Sequence, residues 1–128
     1  MNKLVTEVGI GEEDIVQKPW GGYRVLEEGI GYKIKRIWVN SGEILSLQTH
    51  EQRDEHWVIV RGAAEVTLGE KVLRLATNNS IFIPRKIKHR TANPGPGSME
   101  FIEVQVGDYL GEDDIVRYED KYDRIVST

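Results

Sequence analysis

The 128-residue chain contains no cysteine. That excludes disulfides, thiolate metal sites and a cysteine nucleophile, so any metal must be held by nitrogen and oxygen. A long basic run is also missing and the formal net charge is −4, so the charge balance does not point to nucleic acid. No stretch approaches the roughly 20 apolar residues of a membrane span. The opening MNKLVTEVGIGEEDI has no apolar run followed by a cleavage site. We therefore expect a soluble, cytoplasmic protein with neither a membrane nor a nucleic-acid partner. Internal repeats, low-complexity tracts and a domain boundary are absent as well. The length suits one domain around a single core. Charged residues make up 30%, which with the lack of cysteine suits a heat-adapted source.

What the chain does have is glycine, 13 residues, and many short apolar runs between turns. Residues 23 to 27 and 32 to 39 read as strands, as do 63 to 68, 71 to 75, 81 to 84 and 98 to 106. This pattern predicts an all-β antiparallel sandwich or barrel. Residues 1 to 17 are set apart as an N-terminal arm, open to readings as a strand, an arm onto another subunit or a frayed end. Residues 18 to 124 form the domain proper. Trp20 and Tyr23 are expected to pack at one barrel end, with stacking on a sugar ring as the alternative. In 32 to 39 alternation turns either Lys35 or Arg36 inward, while basic residues there are solvated by default. In 98 to 106 Phe101, Glu103 and Gln105 share a face, which either meets solvent or lines a wet interior. The charged tail from Gly111 to Arg124 reads as a short helix or as an extended cover across the barrel mouth.

The centre of the sequence is Gly42 to Gly62, GEILSLQTHEQRDEHWVIVRG. Strand parity puts Ile44, Ser46, Gln48 and His50 on one face. A turn through 51 to 54 lets Glu55, Trp57 and Ile59 share the facing side of the next strand. Gln48, His50 and Glu55 then converge, and His56 points away. His89 is the best candidate for a fourth ligand from a later strand.

These stretches resemble the cupin signature, G(x)5HxH(x)3,4E(x)6G followed by G(x)5PxG(x)2H(x)3N. Gly42, Gln48, His50, Glu55 and Gly62 fit the first motif at every spacing, with Gln48 in place of its first histidine. Asn78, Pro84, Lys86, His89 and Asn93 fit the second, with Asn78 and Lys86 in place of two glycines. The resemblance implies a double-stranded β-helix, a jelly-roll barrel, with a metal held by Gln48, His50, Glu55 and His89. From Lys18 to Arg124 the chain is also similar to the type II phosphomannose isomerase subgroup. That domain often ends bifunctional mannose-1-phosphate guanylyltransferases. The likeness is carried by KPWGGYRVLE, IKRIWVNSGEILSLQTH, RDEHWVIVRGAAEV, the IFIP and HRTANPG segments and FIEVQVGDYLGEDDIVRYEDKYDR. The subgroup commonly has glutamine at the position of Gln48. It tends to have histidines where Glu51 and Gln52 stand, and glycine where Asp123 stands.

The resemblance implies interconversion of mannose 6-phosphate and fructose 6-phosphate, a proton transfer between C2 and C1 through an enediol. Such chemistry requires a base, a Lewis acid or donor for the oxyanion, and a cationic anchor for phosphate. One divalent ion per chain is implied. Zinc heads the candidates, and manganese, cobalt, nickel and iron also suit two imidazoles, a carboxylate and an amide oxygen. Glu103 is the candidate base on the inward reading of its strand. Lys35, Arg53 and Arg117 are the candidate phosphate anchors, and Arg117, from the EDDIVR run, is also assigned to the catalytic machinery. Arg85, Lys86, Lys88 and Arg90 compete as phosphate anchors around His89. A homodimer is expected by analogy with cupins of this size, and a separate guanylyltransferase is the further partner the resemblance suggests. Two other readings stay open: a metal-containing cupin that binds a sugar phosphate or sugar nucleotide without turnover, and an iron oxygenase.

Overall fold

A computed structural model describes residues 14–122. Most of the arm assigned to residues 1–17, and the last two residues of the 18–124 domain, lie outside the described residues. Eleven strands are described: β1 (Ile15–Lys18), β2 (Gly21–Gly29), β3 (Tyr32–Val39), β4 (Leu47–Thr49), β5 (Arg53–Arg61), β6 (Ala63–Leu68), β7 (Lys71–Ala76), β8 (Ser80–Ile83), β9 (His89–Ala92), β10 (Met99–Gly107) and β11 (Val116–Glu119). They form two antiparallel sheets, ordered β1-β2-β3-β10-β5-β8 and β11-β4-β9-β6-β7. The all-β expectation therefore holds.

Three adjacent strands of the larger sheet set the character of the interior. β10 lies between β3 and β5, with Met99 opposite Val39, Phe101 opposite Ile37 and Ile59, Glu103 opposite Lys35 and Trp57, and Gln105 opposite Lys33 and Glu55. All of these side chains are buried. The inner face is apolar at the Met99 level and polar from Glu103 onward, because each strand changes composition at the same register. The apolar half, with Val66, Ala64 and Ile83 of other strands, is the core. The polar half is the floor of a cavity. The inward reading of Glu103 and Gln105 is the one the structure adopts. The default of solvated bases on β3 is overturned, since Lys33 and Lys35 both face inward and only Arg36 faces out, against Glu100. Each inward ammonium is matched by an inward polar group on β10.

The tail has no helix among the described residues. It crosses the barrel mouth through turns and joins the smaller sheet as β11, antiparallel to β4. A helix would forgo that ladder and the side-chain contacts made across the mouth by Glu112 and Asp114. A second departure is β9. The basic run 85–90 hides a strand start, in which buried His89 and Thr91 alternate with Arg90 and Ala92.

The two positions that depart from the glycine motif share a backbone feature. Asn78 has φ 81° and Lys86 has φ 71°, the only left-handed non-glycine residues among those described. For lysine this region costs about 1–2 kcal/mol, whereas glycine enters it freely. Lys86 is retained by its place in the fold: its N–H donates to the His50 carbonyl at 2.7 Å and ties the β8–β9 turn to the central loop. Its side chain is exposed. Lys86→Gly should therefore stabilise the protein by about 1 kcal/mol after the greater chain entropy of glycine is counted. Urea denaturation at unchanged m-value is the measurement, and a lower midpoint for the glycine variant would contradict the strain argument.

Candidate metal centre

His50 follows directly on β4, residues 51 and 52 bend, and Arg53 opens β5. The bend is shorter than the 51–54 turn read from the sequence, and it carries the chain from one sheet to the other. It is held by the tail: the Asp114 carboxylate accepts from the N–H groups of Glu51 (2.9 Å) and Gln52 (3.0 Å). β5 alternates as expected. Arg53, Glu55, Trp57 and Ile59 are buried, and His56 is exposed on the outer face, packed on Phe82. Gln48 on β4 sits opposite His89 on one side and Arg117 on the other.

His50, Glu55 and His89 each present a ligand atom, all within 4.8 Å of one another, and all three side chains are buried. The tautomers are fixed by backbone carbonyls. His50 Nδ1 lies 2.6 Å from the Asp114 carbonyl and His89 Nδ1 lies 2.9 Å from that of Ile87. A carbonyl only accepts, so each Nδ1 carries the proton and each Nε2 keeps its lone pair. Both imidazoles are held neutral. Burial, aided by the Arg53 charge, pushes the His50 pKa down to about 4. Burial lowers that of His89 as well. His50 Nε2 then faces Glu55 Oε2 at 3.3 Å, two electron-rich atoms with no proton of their own between them. Such a pair asks for a cation. The donor set of two Nε2 atoms and a carboxylate fits a divalent ion, with outer partners that orient both rings. Gln48 lines the same cavity, and its amide nitrogen is engaged by Ser46, which leaves its oxygen as the atom a cation can use.

One cation is already present in the chain. The Arg53 guanidinium donates from Nε to Glu55 Oε2 (2.8 Å) and from Nη2 to His50 Nε2 (3.2 Å). Burial disfavours its charge, but Glu55 and Glu103 hold its pKa above the ordinary value. The other Glu55 oxygen accepts from Trp57 Nε1 at 2.9 Å, and the same N–H reaches Glu103 Oε2 at 3.2 Å. Gln105 donates to Glu103 Oε1 at 2.7 Å. Full burial, then the neighbouring Glu55 charge, raises the Glu103 pKa to about 7, although Lys35 and Arg53 pull the other way. A carboxyl that titrates there can give or take a proton at neutral pH.

The centre opens into a cavity of about 110 Å³, which leads to an inner one of about 40 Å³. His50, Gln48, Arg53 and Glu103 line both, while Glu55 and His89 line only the inner one. Lys35, Arg53 and Arg117, the three anchors named from sequence, all reach the outer cavity. Arg85, Lys86 and Lys88 do not line it. Arg85 pairs with Asp54, Lys88 lies over the Tyr118 ring, and Arg90, which borders the inner cavity, is tied to Glu119 and the Leu45 carbonyl. Trp20 and Tyr23 line the outer cavity as well as packing.

Four residues escaped the sequence reading: Lys18, Lys33, Glu112 and Asp114. Lys35 Nζ lies 2.7 Å from Glu112 and Lys33 Nζ lies 3.5 Å from it. Burial opposes ionisation of Glu112, but these ammonium groups hold its pKa below the usual carboxylate range. Parity along β3 offered a signal for Lys33, since it shares a face with Lys35. The EDDIVR run offered one for Glu112 and Asp114, but nothing local in it says which side chain turns where.

The family model described as mannose-6-phosphate isomerase C-terminal matches residues 9–120. Xanthan biosynthesis protein XanB of Xanthomonas campestris pv. campestris is 54% identical over 109 residues, 85% of this chain and 23% of that protein. A mannose-1-phosphate guanylyltransferase of Salmonella montevideo is 50% identical over 109 residues, again 85% of this chain and 23% of the relative. The chain thus spans less than a quarter of the length of these relatives. Among solved structures, a conserved Klebsiella pneumoniae protein with a double-stranded β-helix domain superposes with TM-score 0.68 at 19% identity, covering 90% of this chain and 88% of that one. The fold is the cupin double-stranded β-helix. By the match along almost its whole length, the chain belongs to the mannose-6-phosphate isomerase C-terminal family.

Proposed function

We propose that this domain is a metal-dependent aldose–ketose isomerase that interconverts mannose 6-phosphate and fructose 6-phosphate. One observation carries the reading. Two neutral imidazoles and a carboxylate with convergent ligand atoms border the inner cavity, which shares His50, Arg53 and a carboxyl titrating near neutrality, Glu103, with the outer cavity that Lys18, Lys35 and Arg117 reach. His50, Glu55 and His89, with the Gln48 amide oxygen, would hold the ion, zinc first among zinc, manganese, cobalt, nickel and iron. Bound there, the ion supplies Lewis acidity toward the sugar oxygens. Glu103 takes the proton from one sugar carbon and returns it to the next. Lys35, Arg53 and Arg117 hold the phosphate, and Trp20 and Tyr23 offer ring faces to the sugar. The relatives' names, a xanthan biosynthesis protein and a mannose-1-phosphate guanylyltransferase, support a mannose-phosphate substrate class. They also support work beside a guanylyltransferase, and we assign the domain to a homodimer in the cytoplasm.

A non-catalytic sugar-phosphate binder is the second reading. The same triad and cations would hold a sugar phosphate at a metal without turning it over. An iron oxygenase fits the ligand triad but leaves the cluster of cations without a role.

Stripping the metal and reloading with zinc, cobalt, manganese or nickel should abolish and restore mannose 6-phosphate turnover in a coupled assay. His50→Ala or His89→Ala should remove both metal binding and turnover. Sugar-phosphate binding with no turnover under any ion would instead identify the binder. Glu103→Gln should lower kcat by about 10²–10⁴-fold with metal retained. Because the base must be ionised, kcat/KM should rise as pH increases through about 7, and this limb should vanish in Glu103→Gln. Arg117→Ala should raise the Kd for sugar phosphate by about tenfold or more, as expected for loss of a charge-assisted hydrogen bond. An unchanged Kd would remove Arg117 from the anchor.

A further inference from the structure

Arg53 meets two of the three groups of the centre, His50 at the lone pair a metal would use and Glu55 at the carboxylate oxygen that faces it. Its Nη2 donates to the His50 Nε2 lone pair, and its Nε donates to Glu55 Oε2. His50 has no second free nitrogen, because Nδ1 is committed to the Asp114 carbonyl. One lone pair serves either a guanidinium N–H or a metal ion, not both. Electrostatics enforces the same choice, since a divalent ion beside a guanidinium in a buried site is strongly repelled.

The charges around the cavity are balanced in pairs. Arg53 is matched by Glu55, and Lys35 by Glu112. A divalent ion on Glu55 takes over the hydrogen-bonded partner of Arg53 and leaves the guanidinium with only the more weakly coupled charges of Glu103 and Glu112. Arg53 lines both the inner and the outer cavity, so its fork has room to turn to the outer side, where Lys35 and Arg117 also reach. A planar fork carrying a fixed charge there suits a bidentate oxyanion.

From this geometry we infer that Arg53 and the metal are alternative occupants of the His50–Glu55 pair, and that metal uptake releases Arg53 to bind an oxyanion in the outer cavity. Arg53 is thus a linking residue that makes phosphate affinity depend on metal loading. The inference rests on the metal-site reading above and adds a coupling that a simple anchor role does not contain. Linkage makes the coupling reciprocal: phosphate must tighten metal binding by the same factor that metal tightens phosphate binding.

The test uses zinc and inorganic phosphate as probes, by calorimetry on chelator-treated chain, for the wild type, Arg53→Met and Arg53→Lys. Removing the competitor should tighten zinc binding by about 5–150-fold in Arg53→Met. In the wild type, zinc should raise phosphate affinity by about 5–150-fold, and most of this gain should be lost in Arg53→Met. Zinc affinity in folded Arg53→Met that is equal to or weaker than wild type would overturn the exclusion. A phosphate gain that persists undiminished there would overturn the release, since direct coordination would then explain it. Arg53→Met leaves buried Glu55 without its partner, so a readout on the unaltered chain is also needed. In nitrogen-15 spectra the Arg53 Nε–H should be protected from exchange before zinc and should shift and lose protection after it. An Nε signal indifferent to zinc overturns the proposal whatever the variants do. Wild type that binds zinc and turns over substrate, with Arg53→Met unchanged in zinc affinity, sinks this inference and leaves the isomerase standing. Zinc binding by Arg53→Met alone supports the exclusion and sinks the metal-dependent isomerase. No zinc binding by either chain sinks both.

Discussion

The polar half of the barrel depends on how a buried carboxylate is compensated. Glu55 is 1% exposed, and an isolated charge at such depth costs several kcal/mol or loses its ionisation. Its two oxygens are both engaged, one by the Arg53 guanidinium, the other by the Trp57 N–H. The arrangement then propagates. Trp57 is fixed by its shared donation to Glu103, Glu103 is oriented by Gln105, and Lys35 opposite Glu103 requires its own counter-charge from Glu112. The network is a chain of mutual compensation laid along three strands whose register brings each charge to its partner. Removing a single member leaves a buried charge unpaired, which is why such networks tolerate little piecemeal substitution.

Much of this was legible in the sequence because it is local. His50 and Glu55 are separated by a bend too short to permit many geometries, and parity alone sorted Glu55 from His56. The spacing from Gly42 to Gly62 and from Asn78 to Asn93 carried the barrel and the approach of His89. What stayed hidden depends on contacts distant along the chain. Lys35 meets Glu112 across 77 residues, and no periodicity in either segment announces that pair. The tail was ambiguous for the same reason. Its charges look like a solvated helix until Asp114 is seen to cap a bend 62 and 63 residues away. The strand β9 was masked by composition, since a run of four bases and a histidine reads as surface even though His89 and Thr91 turn inward.

The departures from the family pattern also find physical places. Glu51 and Gln52, where the subgroup tends to carry histidines, contribute backbone N–H groups to Asp114 while their side chains are exposed. Their chemistry can change without moving His50. Asn78 and Lys86 replace glycines at positions that still require a left-handed backbone, so the conformation is kept and its cost is borne by the chain. At all four positions the backbone conformation or contact is kept while the side chain differs.

The strap across the mouth has a consequence for how the protein is made. The imidazole orientation set by Asp114 links residues 64 apart, and Lys35 waits for Glu112 over a longer span still. A ribosome releases the earlier strands first, at about 5–20 residues per second. For that interval a nascent chain holds barrel walls whose buried acids and bases lack their closing partners. Hydrophobic pairing of β2 with β3 can proceed early, but the charged half can settle only after β10 and the tail have emerged, so topology delays the last step of folding. The centre is assembled by the end of the domain, and the convergence of His50, Glu55 and His89 is completed late in synthesis.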